Sequence, residues 1–329
     1  MNYVYILLKR NLPMIKHFKL KIAGLLLFTT SLNYAQFTDE INSNRPGKSH
    51  GAFSVGKTVI QAEAGTYYIN DKHKYLGYKS SGFGGELSLR YGAFLEQLEF
   101  IADIQYQFDS YKTDYYDTNR NGIRQATIGA KYLVYDPFKN HEEKVNIYSW
   151  KANHRFKWRQ FVPAVGVYVG ANFGASNIYR YPDEPSFSPK AMLITQNHFG
   201  AQWVLVGNFI ADKFTSDYSS YGYVLTLTRG INEKWSAFIE NQGYQSDYYS
   251  DVIFRGGAAY LLRKNLQIDA SIGANIKDTP SLIIGGIGFS WRFDKNYKPI
   301  EIKSGKEEKG KKDGKKEEKK KRVDEIETQ

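Results

Sequence analysis

Leu282-Ile283-Ile284-Gly285-Gly286-Ile287-Gly288-Phe289-Ser290-Trp291-Arg292-Phe293 is the stretch whose reading decides the fold. Ile283, Gly285, Ile287, Phe289, Trp291 and Phe293 share one parity, while Gly286, Gly288, Ser290 and Arg292 share the other. A period of two, apolar and aromatic on one face and small or charged on the other, is what a strand shows between hydrocarbon and a polar lumen. The stretch therefore predicts a membrane-spanning strand, and the rest of the chain is read against that expectation.

The N-terminus agrees with export. Lys16, Lys19 and Lys21 precede an apolar run from Ile22 to Leu32, followed by Asn33-Tyr34-Ala35 before Gln36. A basic region, a short apolar core and a small residue at the cut make a secretory signal over 1–35, with the mature chain starting at Gln36 and Met14 as the better start codon. The core falls short of the ~20 apolar residues that a membrane-crossing helix needs. The sequence has no cysteine, which excludes a lipid anchor on cysteine and a disulfide framework.

About 294 residues remain after the signal, enough for one barrel of roughly a dozen strands. Mean hydropathy is −0.52, yet 16% of residues are aromatic, a pairing that suits strands in which only alternate residues need be apolar. The expected fold is an all-β transmembrane antiparallel barrel over 56–293, against a secreted β-sandwich as the competing all-β fold. Strands are expected at 56–70, 81–92, 96–109, 122–135, 161–174, 188–196, 199–211, 220–230, 235–246, 252–262, 265–276 and 281–293. The even count places both ends of the sheet in the periplasm. Residues 36–55 then form a periplasmic segment. Short connections such as Gly92-Ala93-Phe94 belong on that side, whereas 71–80, 109–121, 176–189 and 247–251 are expected as longer outer loops. Residues 136–160, with Trp150, Trp158, His141 and His154, break the alternation and read as a structured periplasmic insert or as strands extended below the membrane.

Parity assigns facing. Leu98, Phe100, Ala102, Ile104, Tyr106 and Phe108 point to lipid, and Glu99, Asp103, Gln105 and Gln107 point inward. The same rule sends Gln61, Glu63, Glu86, Arg90, Lys131, Asn172, Asn208, Glu240, Gln242, Gln267, Asp269 and Arg292 into the lumen. Arg or Lys on the lipid side near the midplane would cost about 2–4 kcal/mol, which constrains the assignment. A lumen lined this way is either a selective pore or a salt-bridge network that fills a narrow barrel, since buried charges must be paired. Twelve strands give an intermediate bore, and the filled lumen is the expectation. The acids are scattered over five strands with no nucleophile or His at fixed spacing, so the chain is not read as an enzyme.

Asp117-Thr118-Asn119-Arg120-Asn121-Gly122 matches the first half of a calcium loop, with Asp117, Asn119 and Asn121 as the Ca2+ ligands. The twelfth position holds Ile128 rather than an acid, and an Asx-rich hairpin explains the same letters. Tyr75, Tyr78, Tyr111, Tyr115, Tyr116, Tyr179, Tyr181, Tyr218, Tyr221, Tyr248 and Tyr249 form an outer aromatic girdle or a stacking surface for a sugar or aromatic ligand. Gly82-Phe83-Gly84-Gly85 lies within a strand and is no phosphate cradle.

From Lys303 the composition turns to Lys, Glu and Gly, as in Lys309-Gly310-Lys311-Lys312. Such a segment cannot offset its ordering entropy, so 294–329 is expected as a disordered basic tail. The net charge of +11 owes something to it and implies no nucleic-acid partner. Outer-membrane lipid, and peptidoglycan or envelope proteins at the tail, are the expected partners.

Phe293 at the end of its strand resembles the closing residue of outer-membrane barrels. Asn42-Ser43-Asn44-Arg45-Pro46-Gly47-Lys48-Ser49 leads into Gln61-Ala62-Glu63, and this resembles the opening of an outer-membrane family labelled for the meta-cleavage pathway of phenol degradation. In that family an Arg-Pro element precedes a Gly and a Gln-x-Glu first strand. Glu86-Leu87-Ser88-Leu89-Arg90-Tyr91-Gly92 and Leu266-Gln267-Ile268-Asp269 resemble its later strands. Asn44 stands where the family often has an acid, and the 136–160 segment and Lys-rich tail depart from its pattern. The resemblance implies passive, porin-like uptake of a small, often hydrophobic molecule through the lumen or a lateral opening. The alternative is a barrel that serves an envelope complex through its insert and tail.

Overall fold

The computed structural model describes residues 41–137, 158–174, 178–181, 183–200 and 202–294. The signal region, most of the 136–160 segment and the tail beyond Asp294 lie outside them. Twelve antiparallel strands close into a barrel in chain order, with the first against the last. They are β1 Ile60–His73, β2 Tyr78–Gly92, β3 Leu98–Thr113, β4 Asp117–Tyr135, β5 Ala164–Phe173 and β6 Phe187–Phe199, then β7 Trp203–Asp212, β8 Ser220–Gly230, β9 Trp235–Ser246, β10 Ser250–Arg263, β11 Leu266–Asn275 and β12 Ser281–Phe293. The seam runs without a shift from Ile60↔Phe293 to Lys72↔Ser281, so no edge is left unpaired.

The alternation expected in β12 is what the structure shows. Ile287, Phe289 and Trp291 face outward with 46–64% of their surface free, whereas Ser290 and Arg292 are buried inside. Outward Leu87, Leu89, Phe100, Ile104, Ile128 and Val169 continue the apolar band around the barrel. No hydrophobic core could hold so much exposed apolar side chain in water, and hydrocarbon is the solvent that suits it. The molecule is an outer-membrane β-barrel. At the end carrying Ile60 and Phe293, Trp235 packs on Tyr260 (4.8 Å) and Arg229 lies over Trp203 (5.1 Å), an aromatic rim of the kind that sits at headgroup level.

Several expectations need correction. Most of residues 71–80 and 109–121 is strand rather than loop: β1 and β2 are joined by 74–77 alone, and β3 and β4 by 114–116. Ladder hydrogen bonds persist past the apolar band because the polar ends of these strands, including Lys72↔Lys79 and Lys112↔Asp117, still pair. This also removes the calcium loop. Asp117, Asn119 and Asn121 lie in extended β4, Asp117 is tied to Lys112 at 2.8 Å, and the sharp turn that such a loop needs is absent. Among the described residues, no group of three or more His, Cys, Asp or Glu is placed to hold a metal.

A bulge is a further departure. Gln105 faces Gln125 while Tyr106 faces Ile123, so Arg124 is an extra residue and parity in β4 inverts above it. Arg120 and Arg124 thereby both point inward, to Asp109 and Gln107 respectively. Register also shifts between Leu133 and Tyr135 in the β4–β5 pair and between Leu261 and Arg263 in the β10–β11 pair, and β4 pairs with β5 only from Thr127 to Tyr135. Residues 41–55, expected beside the membrane in the periplasm, instead lie inside the barrel. They enter at the β10–β11 turn, where Ile41 N donates to Lys264 O (2.9 Å), and leave through Thr58 N to Gly92 O (2.8 Å) at the same end.

Candidate functional site

The site is the half of the lumen nearest Ile60 and Phe293, where this inserted segment is held by side chains from most of the wall. Its entry and exit at one end make it a loop pushed in from that mouth. Backbone groups inside a barrel cannot join the ladder and must find partners elsewhere. The inward polar residues provide them. Asn208 of β7 both accepts from His50 N (2.6 Å) and donates to His50 O (2.9 Å), imitating a strand partner. Gln196 Oε1 of β6 accepts from Ala52 N (2.9 Å), Glu99 Oε2 from Val55 N (3.0 Å), and Glu240 Oε2 from Lys48 N (2.8 Å). Gln61 and Arg90 donate to Asn42 O at 3.0 and 2.7 Å, and Gln267 donates to Arg45 O at 3.2 Å.

Charge is balanced within the same layer. Arg90, fully buried, grips Glu99 with two nitrogens (2.6 and 3.2 Å) and Glu63 with a third contact (2.9 Å). Lys131 completes the cluster, 3.2 Å from Glu99 and donating to the carbonyls of Gly51 (2.8 Å) and Phe53 (2.9 Å). Four ionised groups on four adjacent strands thus close on one another and on the inserted loop. Their registers explain the grouping: Gln61↔Arg90 and Glu99↔Lys131 are direct cross-strand partners. Arg255 pairs with Glu240 on the far wall, and Thr226 donates to the same carboxylate at 2.8 Å.

An apolar cluster adjoins this charged layer along β3 to β6. Inward Ile101, Leu133, Ala164, Tyr168, Met192 and Ile194 form a buried cluster against Ala52 of the loop, with Phe53 packed beside it. The loop thus has a polar side and an oily side, each matched to the wall it meets.

The structure gathers ten of the expected lumen residues around the loop: Gln61, Glu63, Glu86, Arg90, Glu99, Lys131, Asn208, Glu240, Gln267 and Asp269. Others stand apart from it. Asn172 accepts from Thr127 (2.8 Å) and donates to Asp212 (2.6 Å), Arg292 reaches Asp294 at 3.4 Å, Asp103 sits opposite Ser88, and Gln242 faces inward on β9. Sequence reasoning missed Arg45, Lys48 and Arg255 as part of this layer, along with the inward apolar residues. Parity alone marks Ile101 and Ile194 as inward, and this signal was available. Of the loop tyrosines, Tyr181, Tyr218 and Tyr248 stack on one another with centroids 5.1–5.3 Å apart at the far end. Tyr179 and Tyr249 turn inward instead, to Asp109 (3.1 Å) and Asp251 (2.7 Å).

The family described as the MetA-pathway of phenol degradation matches residues 43–293, from the inserted loop to the last strand. The chain belongs to this family. Its Arg-Pro-Gly-Lys element is the part of the loop that meets the acidic wall. No curated protein sequence matches the chain. Among solved structures, an outer membrane channel from Pseudomonas putida F1 is similar at 14% identity and a TM-score of 0.51, covering 77% of this chain and 100% of that one. The Pseudomonas putida toluene transporter TodX is similar at 9% identity and a TM-score of 0.42, with 80% and 96% covered. These likenesses concern the barrel fold.

Proposed function

We propose that this MetA-pathway family member is a passive outer-membrane channel for a small molecule, whose lumen is closed at rest by its own N-terminal loop. The observation that carries the reading is the way the loop is held. It is bound through side chains to the wall and takes no part in the barrel ladder, so it can leave without breaking the sheet. A part meant only to stiffen the barrel has no need of such separability. The lumen, which sets carboxylates and cations beside Ile101, Met192 and Ile194, suits a small amphiphilic solute better than a hydrocarbon. The closed ring of hydrogen-bonded strands favours a route through the lumen. The lumen acids Glu63, Glu86, Glu99 and Glu240 are held in ion pairs, which supports a transport role over an enzymatic one.

Conductance in planar bilayers tests this. The full chain is expected to give rare steps, and Arg45→Ala/Lys48→Ala to give frequent larger ones, with deletion of 42–55 as a second variant. Silence from all three would sink the channel reading. Silence together with envelope proteins that co-purify until residues 297–329 are deleted would favour the accessory role instead.

A further inference from the structure

Arg45 rests in a receptor built from four neighbouring strands. Glu86 of β2 pairs with Gly65 of β1, Gly65 with Gly288 of β12, and Gly288 with Asp269 of β11, so the four residues form one row across the sheet. At ~4.8 Å between strands the row spans ~14 Å, two bare backbones flanked by two carboxylates. The Arg45 guanidinium lies on the glycines and bonds to both acids, Glu86 and Asp269, the latter at 3.1 and 3.3 Å. A Cβ added at Gly65 or Gly288 would collide with the guanidinium itself. The row is thus shaped for a flat cation with donors on two edges, the form in which a guanidinium differs from an ammonium. Lys48 Nζ shares Glu86, leaving Asp269 with Arg45 as its cationic partner among the described residues.

We propose that the Glu86–Gly65–Gly288–Asp269 row is a binding site for small guanidinium solutes, which Arg45 occupies in cis. The inference rests on the loop being a movable plug. When the loop withdraws, the wall keeps the cradle and both acids lose their guanidinium partner. A free guanidinium then fills it, and by mass action favours the withdrawn state. The carboxylates belong to the wall, so the ligand needs no part of the loop to bind.

The chain has no cysteine, so Ala52→Cys supplies a unique reporter on the plug itself, at a position fully buried against the wall. The rate of maleimide labelling then measures withdrawal and requires no ion flow, so its outcome is independent of whether the barrel conducts. A tethered group has an effective concentration of about millimolar, so methylguanidinium at about 20 mM is a reasonable competitor. It is expected to speed labelling about threefold over tetramethylammonium at equal ionic strength, as competition for an occupied site requires. The ratio between the two salts should fall to unity in Glu86→Gln/Asp269→Asn, with Asp269→Asn alone as a milder variant, and heat-modifiable gel mobility reports that each barrel is folded. Equal rates in both salts, or an enhancement that survives neutralising both carboxylates, would overturn the proposal.

Discussion

Arg90→Met is the sharpest test of how this barrel is held together. Arg90 is fully buried, as are Glu99 and, within 2%, Glu63, and no solvent can replace the guanidinium once it is removed. Methionine keeps most of the volume and takes away five donors. The two carboxylates do not suffer equally. Glu99 retains Lys131 at 3.2 Å and Val55 N at 3.0 Å, whereas Glu63 keeps only neutral donors, Gln61 Nε2 at 2.7 Å and Asn44 N at 3.3 Å. Breaking a buried ion pair from one side costs about 3–5 kcal/mol. With one of the two acids still compensated, the lower end, about 3 kcal/mol, is expected, which is roughly a hundredfold in the folding equilibrium. The assay is reversible urea unfolding in lipid vesicles, followed by tryptophan fluorescence. Adding Glu63→Gln should return part of the loss, because the stranded charge goes with it, so the double variant should be more stable than Arg90→Met alone. A cost below about 1 kcal/mol for the single variant, the range of a solvated pair, would show that the layer is wet and that the pairing argument fails.

On the outer face, Ile287→Arg should destabilise the barrel by about 2–4 kcal/mol in the same unfolding assay, since Ile287 faces lipid midway along β12. Gly65→Ala should leave the barrel folded by gel mobility yet raise channel open probability, because its methyl takes the place of the Arg45 guanidinium. Asn208→Ala removes two hydrogen bonds to His50 at about 1 kcal/mol each and should loosen the loop by about thirtyfold, read as labelling of Ala52→Cys. Removing divalent cations with EDTA should not change the susceptibility of the β3–β4 hairpin to protease, because Asp117 is tied to Lys112 within a strand.

The strands were legible because their cause is local. Alternation in Leu98 to Phe108 or Ile283 to Phe293 reflects one residue facing lipid and the next the lumen, and the ranges 220–230, 235–246 and 281–293 coincide with β8, β9 and β12. Even β6, whose pattern is weak, formed where the turn alternation required a strand. Strand ends were less legible at 71–80 and 109–121, where polar residues suggested loop although the ladder runs on in water. Arg124 shows a different limit: an inserted residue inverts parity, and nothing in its neighbours announces a bulge.

By itself, then, the sequence determined the barrel, its facing and its compartment, because those follow from a periodicity that the solvent on each side imposes residue by residue. Where the N-terminal loop goes, and which charges meet, were decided only by closure. Arg45 and Asp269 are 224 positions apart and become partners because the seam between β1 and β12 brings Gly65 and Gly288 together beneath them. A loop rich in Asn, Ser and Gly reads as solvated from composition alone. It is buried because a closed ring of carboxylates, amides and apolar side chains supplies partners that water would otherwise have given it.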